Sequence, residues 1–124
     1  MIRQPARLLP AAVRRAIVAH ARRDAPLECC GLLVGRGRSV IAAMPMRNTA
    51  ASPTRFRLDD REHIELRRTL RRFEPPLEIL GVYHSHPRGP AVPSSTDVAE
   101  AHYPEWLYVI VGLRGVRAEV GVWR

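Results

Sequence analysis

Apolar side chains recur at helical spacing in two stretches of the chain. The first stretch follows Pro10, a residue suited to the first turn of a helix, and its apolar positions are Leu9, Val13, Ala16 and Ile17. The second stretch, residues 59–73, begins with acidic residues and becomes basic, as the helix dipole favours. The pattern therefore predicts two helices, over residues 10–25 and 59–73.

Short apolar runs bounded by turn residues predict strands in the rest of the chain. A hairpin around a Gly-Arg-Gly-Arg turn fills residues 28–46, and a polar connection over residues 47–58 leads to a short strand. A short helix is predicted to start at Ser94. The remaining strands are predicted at residues 77–84, 106–113 and 116–123.

The order of these elements indicates one α/β domain over residues 1–124. The two hairpin connections are too short for parallel crossovers, so a mostly antiparallel sheet is expected. Helices on either side would cover its faces, which makes the fold class α/β of the α+β type. A chain of 124 residues has enough apolar material for one core and not for two.

The N-terminal residues and the lengths of the apolar runs predict where in the cell the protein is located. No run reaches the length of about 18 apolar residues that a membrane-spanning helix needs. The first ten residues, MIRQPARLLP, lack the apolar centre of a signal peptide. The sequence therefore predicts a soluble, cytoplasmic protein with no membrane association.

The formal net charge is +8, and every basic residue other than histidine is arginine. A field of this sign attracts acidic partners. Four arginines gather on one side of the second helix: Arg67, Arg68, Arg71 and Arg72. Proteins that bind single-stranded nucleic acid usually place aromatic residues between their basic residues, and no aromatic residue lies between these arginines. We therefore expect no nucleic-acid binding and interpret the cluster as a solvated face or a contact for an acidic protein.

The two cysteines, and three histidines that have no partner at ligand spacing, are interpreted as structural. Cys29 and Cys30 are adjacent, which rules out an ordinary disulfide between them; small buried strand residues are expected, with a reactive thiol as the alternative. His20 falls on the apolar stripe of the first helix, where a packed core histidine is the favoured interpretation. His63 and His102 have no partner at ligand spacing.

The segment from Gly81 to Asp97, GVYHSHPRGPAVPSSTD, holds the candidate chemistry. In a strand, His84 and His86 point to the same face, so two imidazoles can share one ion. Catalytic zinc takes three protein ligands and keeps a fourth position for water. Asp97 completes the set if the proline-rich turn folds back towards the end of the strand.

Each part of this segment also has a structural interpretation. Ser94 and Asp97 fit the capping box of a helix that starts after Ser94. A His-x-His pair alone is a weak signal on a surface strand. The combination with a fixed turn and a distant glutamate, Glu28, favours a metal site.

Taken together, these residues resemble the JAMM, or MPN-plus, metallopeptidases. The family pattern is an upstream glutamate, His-[Ser/Thr]-His, seven residues, serine, two residues and aspartate. Here the pattern is Glu28 in LECCGLLVG, then HSHP, then PSSTD, with every position matched. The resemblance covers most of the chain from Glu28 onward, including ASPTRF and the closing strand pair. It implies cytidine-deaminase-like α-β-α layers.

The resemblance assigns a role to each residue. His84, His86 and Asp97 would hold Zn²⁺, and Glu28 would accept the proton of the zinc-bound water and pass it to the leaving amine. Ser94 would donate a hydrogen bond to the oxyanion. The implied reaction is hydrolysis of an amide or isopeptide bond after the C-terminal tail of a ubiquitin-like or sulfur-carrier protein.

Two other classes of function stay open. Relatives that lose the metal act as catalytically silent scaffolds or interaction modules, and the sign that would separate them is loss of a ligand. A nucleic-acid-binding role would rest on charge alone. A metallo-β-lactamase-like site is disfavoured because HSHPRG lacks the HxHxDH pattern.

The sequence also offers contacts for a partner. The loop RNTAASPTRF and the basic helix, through Arg67 and Arg71, are candidate surfaces for the carrier. The last strand reaches Trp123 and is expected to leave an open edge. A homodimer is one candidate assembly, and the sequence leaves the oligomeric state open.

Overall fold

The computed structural model describes residues 1–124. A 3₁₀ turn at Ala6–Leu8 precedes the first helix. Three helices and five strands follow in the order α1 (Ala11–Asp24), β1 (Cys30–Arg36), β2 (Ser39–Met46), α2 (Asp60–Leu70), β3 (Glu78–His86), α3 (Ser95–Ala99), β4 (Leu107–Gly112) and β5 (Glu119–Trp123).

The five strands form one sheet in the order β2-β1-β3-β4-β5. Three of the four pairs are antiparallel, and the pair β3–β4 is parallel. The parallel pair is reached through the long connection that carries α3, since parallel strands need a crossover of about a dozen residues. The predicted α+β class with a mixed, mostly antiparallel sheet is confirmed.

Each face of the sheet is covered by one long helix. The buried residues of α1 are Val13, Ile17, His20 and Ala21. The apolar members of this set pack in one cluster with Leu33, Tyr83 and Val109. On the opposite face, Leu66 and Leu70 of α2 pack in a second cluster with Cys30, Leu32, Val82 and Trp106. Neighbouring strand residues alternate between the two clusters, so the helix–sheet–helix layering follows from the period of two along each strand.

Two expectations about strand ends are corrected by the structure. The short strand expected before α2 is reduced to a single bridge between Asn48 and Leu58. The edge of β5 is not open, because Ile2 and Gln4 donate backbone hydrogen bonds to Arg124 and Val122. The N-terminal residues carry no periodic pattern of apolar positions, so this pairing could not be predicted from the sequence.

The structural interpretation of His20 agrees with its packing. Its Nδ1 lies 2.7 Å from the Tyr83 hydroxyl, and its Nε2 lies 3.1 Å from Asp24 Oδ2. Burial lowers the pKa of His20, although Asp24 opposes this effect. Cys29 and Cys30 are fully buried free thiols, as expected. No helix has both the length and the apolar character needed to cross a membrane.

Ser85 ties β3 to the residue before β1. It is fully buried, and its hydroxyl oxygen accepts the Cys29 backbone N–H at 2.8 Å. Ser85→Ala is expected to lower the free energy of unfolding by about 1–3 kcal/mol, because a buried N–H loses its partner. Urea unfolding measures the change, with the exposed Ser95→Ala as control. A loss no larger than that of the control would contradict this role.

Candidate metal centre

Two histidines at the end of β3 face the same side of the sheet. His84 pairs with Cys30 of β1, and both lie on the face covered by α2. The side chain of His84 is 5% exposed and that of His86 is 14% exposed. The strand ends at His86, immediately before Pro87, two residues beyond the predicted end.

The proline-rich turn folds back against the end of β4. The N–H groups of Gly89 and Leu113 both donate to the His86 carbonyl, at 3.2 and 3.1 Å. A Cβ atom at Gly112 would lie 2.6 Å from the backbone nitrogen of Ala91, so this close approach requires glycine. The turn thereby returns the start of α3 to the end of β3.

Asp97 lies in the first turn of α3 and completes a cluster with both histidines. Its Oδ1 is 3.2 Å from His84 Nε2, and its Oδ2 is 3.1 Å from His86 Nε2. The two Nε2 atoms are 3.1 Å apart. A tetrahedral metal ion with bonds of about 2.0–2.1 Å would separate its ligands by about 3.3–3.4 Å. The two histidine contacts use different oxygens of Asp97, and with one ligand atom taken from each residue the three donors lie within 4.8 Å of one another, so the group could hold a metal ion.

The tautomer of His86 strengthens this interpretation. Its Nδ1 lies 2.8 Å from the Pro90 carbonyl oxygen, which can only accept, so Nδ1 carries the hydrogen. In the neutral ring, Nε2 then presents a lone pair to the Asp97 carboxylate. Such a contact requires a proton or a cation between the two atoms. A backbone carbonyl that orients a ligand histidine is typical of metal sites.

The charges of the three groups are strongly coupled. Burial lowers the pKa of His84 despite the neighbouring Asp97. Burial opposes protonation of His86 too, but the bonds to Asp97 and Pro90 outweigh it and raise the pKa of His86. Burial also acts against an ionised Asp97, yet the bonds from the two imidazoles hold the pKa of Asp97 well below its usual range. Asp97 is therefore an anion that attracts positive charge.

Glu28 enters the same cleft from the segment just before β1. It is 5% exposed and lines the cleft together with His86, Ser94 and Asp97. Burial raises the pKa of Glu28 to about 7, with His86 acting against the shift and Asp97 adding to it. A carboxylate with a pKa near neutrality is suited to accept and return a proton.

Ser94 is the N-cap of α3. Its hydroxyl oxygen accepts the Asp97 N–H at 3.0 Å, and the Asp97 carboxylate accepts the Ser94 N–H at 2.9 Å. This capping box was one interpretation of the sequence and is present. A hydroxyl also has a hydrogen to donate, which the cap leaves free to face the cleft.

Residues 47–58, which we call the site loop, contact the metal centre, whereas the sequence indicated the segment RNTAASPTRF only as a candidate surface for the carrier. Phe56 stacks on His84 with ring centroids 4.4 Å apart. The Asn48 side chain donates to the Glu28 carbonyl at 3.0 Å. The segment ASPTRF is part of the family resemblance, but no spacing in it indicates which side chain reaches the metal centre.

Several other candidate groups lie elsewhere. His20 contacts Asp24 of its own helix and Tyr83 of β3, His63 accepts a hydrogen bond from Arg67 of its own helix, and neither joins the cluster. Arg67 and Arg71 border a separate groove beside Glu78, at the far end of β3 from His86. A strand of that length spans about 26 Å, so these arginines are remote from the metal centre.

Known proteins are similar to this chain in sequence and in fold. Residues 10–124 match the family model described as prokaryotic homologues of the JAB domain. A probable TtuB-protein conjugate cleaving protease of Thermus thermophilus is 44% identical over 81% of this chain and 66% of its own length. The CysO-cysteine peptidase of Mycobacterium tuberculosis is 43% identical over 80% of this chain and 68% of its own length.

A desampylase of Haloferax volcanii is 38% identical over 82% of this chain and 77% of its own length. Among solved structures, a protein of Desulfitobacterium hafniense has a TM-score of 0.77 and 32% identity, covering 91% of this chain and 85% of that chain. The matched segment thus spans about two thirds of the Thermus and mycobacterial relatives. The predicted fold is supported, and the predicted peptidase class agrees with the names of these relatives.

Proposed function

The chain belongs to the family of prokaryotic homologues of the JAB domain, and on this premise we propose that it is a zinc-dependent metallopeptidase. Its substrate would be an amide or isopeptide bond after the C-terminal tail of a ubiquitin-like or sulfur-carrier protein. The observation that carries the proposal is the cluster of His84, His86 and Asp97 at a cleft that Glu28 lines together with His86 and Asp97.

Zinc suits the donor set. Two imidazole nitrogens and one carboxylate oxygen are three ligands of the kind that catalytic zinc sites use, and they leave a fourth position for water. When bound, Zn²⁺ supplies Lewis acidity that polarises a carbonyl and makes water nucleophilic near neutral pH. Pro90 acts through its carbonyl by fixing the Nδ1 hydrogen of His86.

Glu28 moves the proton in this proposal. Its carboxylate accepts a proton from the attacking water and returns it to the nitrogen of the leaving group. The Glu28 carboxyl is buried, which brings its affinity for protons close to that of neutral solution. One group can therefore act as the base in the first step and as the acid in the second.

Ser94 stabilises the oxygen that gains negative charge as the amide is attacked. Its hydroxyl oxygen is already fixed by the cap, so its hydrogen can be directed into the cleft without further ordering. A donor of this kind typically contributes about 3 kcal/mol to lowering the barrier. The cap and the catalytic role use different parts of one hydroxyl.

The substrate class rests on the named relatives. Their names refer to TtuB-protein conjugates, CysO-cysteine and desampylation. We infer that this chain also acts on a small carrier protein through its extended C-terminal tail. Arg67 and Arg71, remote from the cleft, are not required to hold such a tail.

The test is cleavage of a defined conjugate. The purified protein is loaded with zinc and given a small ubiquitin-like sulfur carrier whose C-terminus bears either an added cysteine or a lysine side-chain adduct. Mass spectrometry should detect the released carrier, a chelator should abolish release, and added Zn²⁺ should restore it. Tight binding of the carrier without release of either adduct would instead favour the silent scaffold, and cleavage that survives metal removal would refute the zinc mechanism.

A further inference from the structure

Glu28 lies outside the hydrogen-bond ladder of the sheet. β1 begins at Cys30, and the ladder with β3 begins with the pair Cys30 and His84. The backbone of Glu28 is held instead by the site loop, residues 47–58. Its N–H donates to the Ser52 carbonyl at 2.9 Å, and its carbonyl accepts from Asn48 Nδ2 at 3.0 Å.

Asn48 uses its whole amide group to fix this loop. Its Nδ2 donates to the carbonyls of Glu28 and Arg55, both at 3.0 Å. Its Oδ1 accepts the N–H groups of Ala50 and Arg57, also at 3.0 Å. Because an amide has two donor hydrogens and two acceptor lone pairs, all four positions are used.

The loop requires the hydrogen bonds of Asn48 because part of its backbone is strained. Ala51 has a φ of 45°, in the left-handed region that costs a residue with a Cβ atom about 1–2 kcal/mol. Its N–H donates to the Asn48 carbonyl at 3.1 Å. A strained residue persists where the surrounding contacts determine its conformation.

The same loop also contacts a proposed metal ligand. Phe56 is carried one residue beyond Arg55 and packs its ring on His84 at 4.4 Å and 20°. One loop therefore contacts the backbone of Glu28 and the imidazole of His84. Its conformation sets how the carboxylate lies relative to the metal centre.

We propose that Asn48 is a positioning residue: it fixes the conformation of the site loop and thereby the position of Glu28 relative to the metal centre. It touches neither substrate nor metal and acts through the Glu28 carbonyl and through the loop that carries Phe56. The catalytic consequence rests on the proposed function. The geometric consequence, an ordered backbone at Glu28, does not.

Two variants separate the contributions of Asn48. Asn48→Ala removes all four hydrogen bonds. Asn48→Asp keeps an oxygen for the N–H groups of Ala50 and Arg57 but places a carboxylate against the Glu28 carbonyl. Tyr108→Phe is the matched control, because it removes another side-chain tie to a loop, at Tyr103, away from the cleft.

Both Asn48 variants are expected to lower kcat by about 10–100-fold with KM within about threefold, since a misplacement of about 1 Å can cost 10²-fold. Zinc content should stay at one ion per chain. In the zinc-free protein, hydrogen exchange of the Glu28 amide should become about tenfold faster in both variants. Tyr108→Phe should change neither kcat nor the exchange of that amide beyond about twofold.

The exchange measurement keeps this proposal separate from the proposed function. If the wild type cleaves no conjugate, the peptidase proposal fails. The hydrogen-exchange rate of the Glu28 amide in the Asn48 variants then decides by itself whether Asn48 positions Glu28. Unchanged exchange at Glu28 in folded Asn48→Ala would overturn the inference. So would a loss of kcat no larger than that of Tyr108→Phe, or an effect confined to KM, which would mean that the loop only binds substrate.

Discussion

Glu28→Gln is expected to lower kcat/KM for a cleavable carrier conjugate by about 10³-fold, within the range that general acid–base catalysis contributes. Glutamine has nearly the same shape but cannot accept the proton of the attacking water. Zinc content should remain at one ion per chain, because Glu28 is not among the clustered donors. Elemental analysis and steady-state kinetics on the same preparation measure both quantities.

The pH dependence provides a second readout of this variant. Glu28 has to be ionised to act as a base, so kcat/KM of the wild type should fall as the pH drops through the pKa of Glu28. Burial raises that pKa to about 7 without a metal ion, and a bound cation opposes this shift and lowers the pKa. Glu28→Gln should lack this acidic limb.

Glu28→Gln is expected to lower the activity without lowering the free energy of unfolding. Because burial raises the folded-state pKa of Glu28, the ionised group opposes folding as the pH rises from about 4.5 to about 7. Glu28→Gln should therefore be at least as stable as the wild type above neutral pH. The exposed Glu105→Gln is the matched control.

A Glu28→Gln protein that retains more than a tenth of the wild-type activity would remove Glu28 from the mechanism, because so small a loss lies below the weakest general-base contribution.

Asp97→Asn is expected to weaken zinc binding by about 100-fold or more, because even partners of metal ligands contribute 10–100-fold. The substitution removes the negative charge that faces His84 and His86. Its remaining oxygen can still accept the Ser94 N–H, so the start of α3 should persist. Competition with a chromogenic chelator measures the affinity, and cleavage should be lost in parallel.

Thermal unfolding checks the same prediction without any substrate. Zinc stabilises the wild type in proportion to RT ln(1 + [Zn²⁺]/Kd), so its melting temperature should rise with zinc concentration. Asp97→Asn should show this rise only at concentrations about 100-fold higher, in line with the weaker binding. Ser95→Ala, an exposed change in the same helix, should behave like the wild type. Wild-type zinc affinity in Asp97→Asn would mean that the ion binds elsewhere.

The proposed ligand set could be predicted from sequence because all three members are close along the chain. The period of two places His84 and His86 on one face, and the segment between His86 and Asp97 is short and rich in proline. Few conformations of such a turn are available, so the return of Asp97 to the strand end follows from local chemistry. The long helices were predictable for a similar reason, since their period of 3.6 repeats over several turns.

The parts that were missed depend on contacts between distant segments. Asn48 is one polar residue in a polar loop, and its importance appears only when Glu28, Arg55 and Arg57 surround it. The left-handed backbone at Ala51 breaks the rule that such positions favour glycine. The pairing of Ile2 with Arg124 joins residues without an apolar pattern.

The turn and cap described above make the three clustered donors a portable unit. Strand end, proline turn and helix start are contiguous from His84 to Asp97, and the Asp97 carboxylate serves both as helix cap and as partner of the imidazoles. A designer could transplant this stretch of about 14 residues onto another sheet that offers a glycine beside it. The transplant would carry ion binding alone, because the proposed proton-transfer group, Glu28, lies in a separate segment just before β1 and would have to be engineered independently.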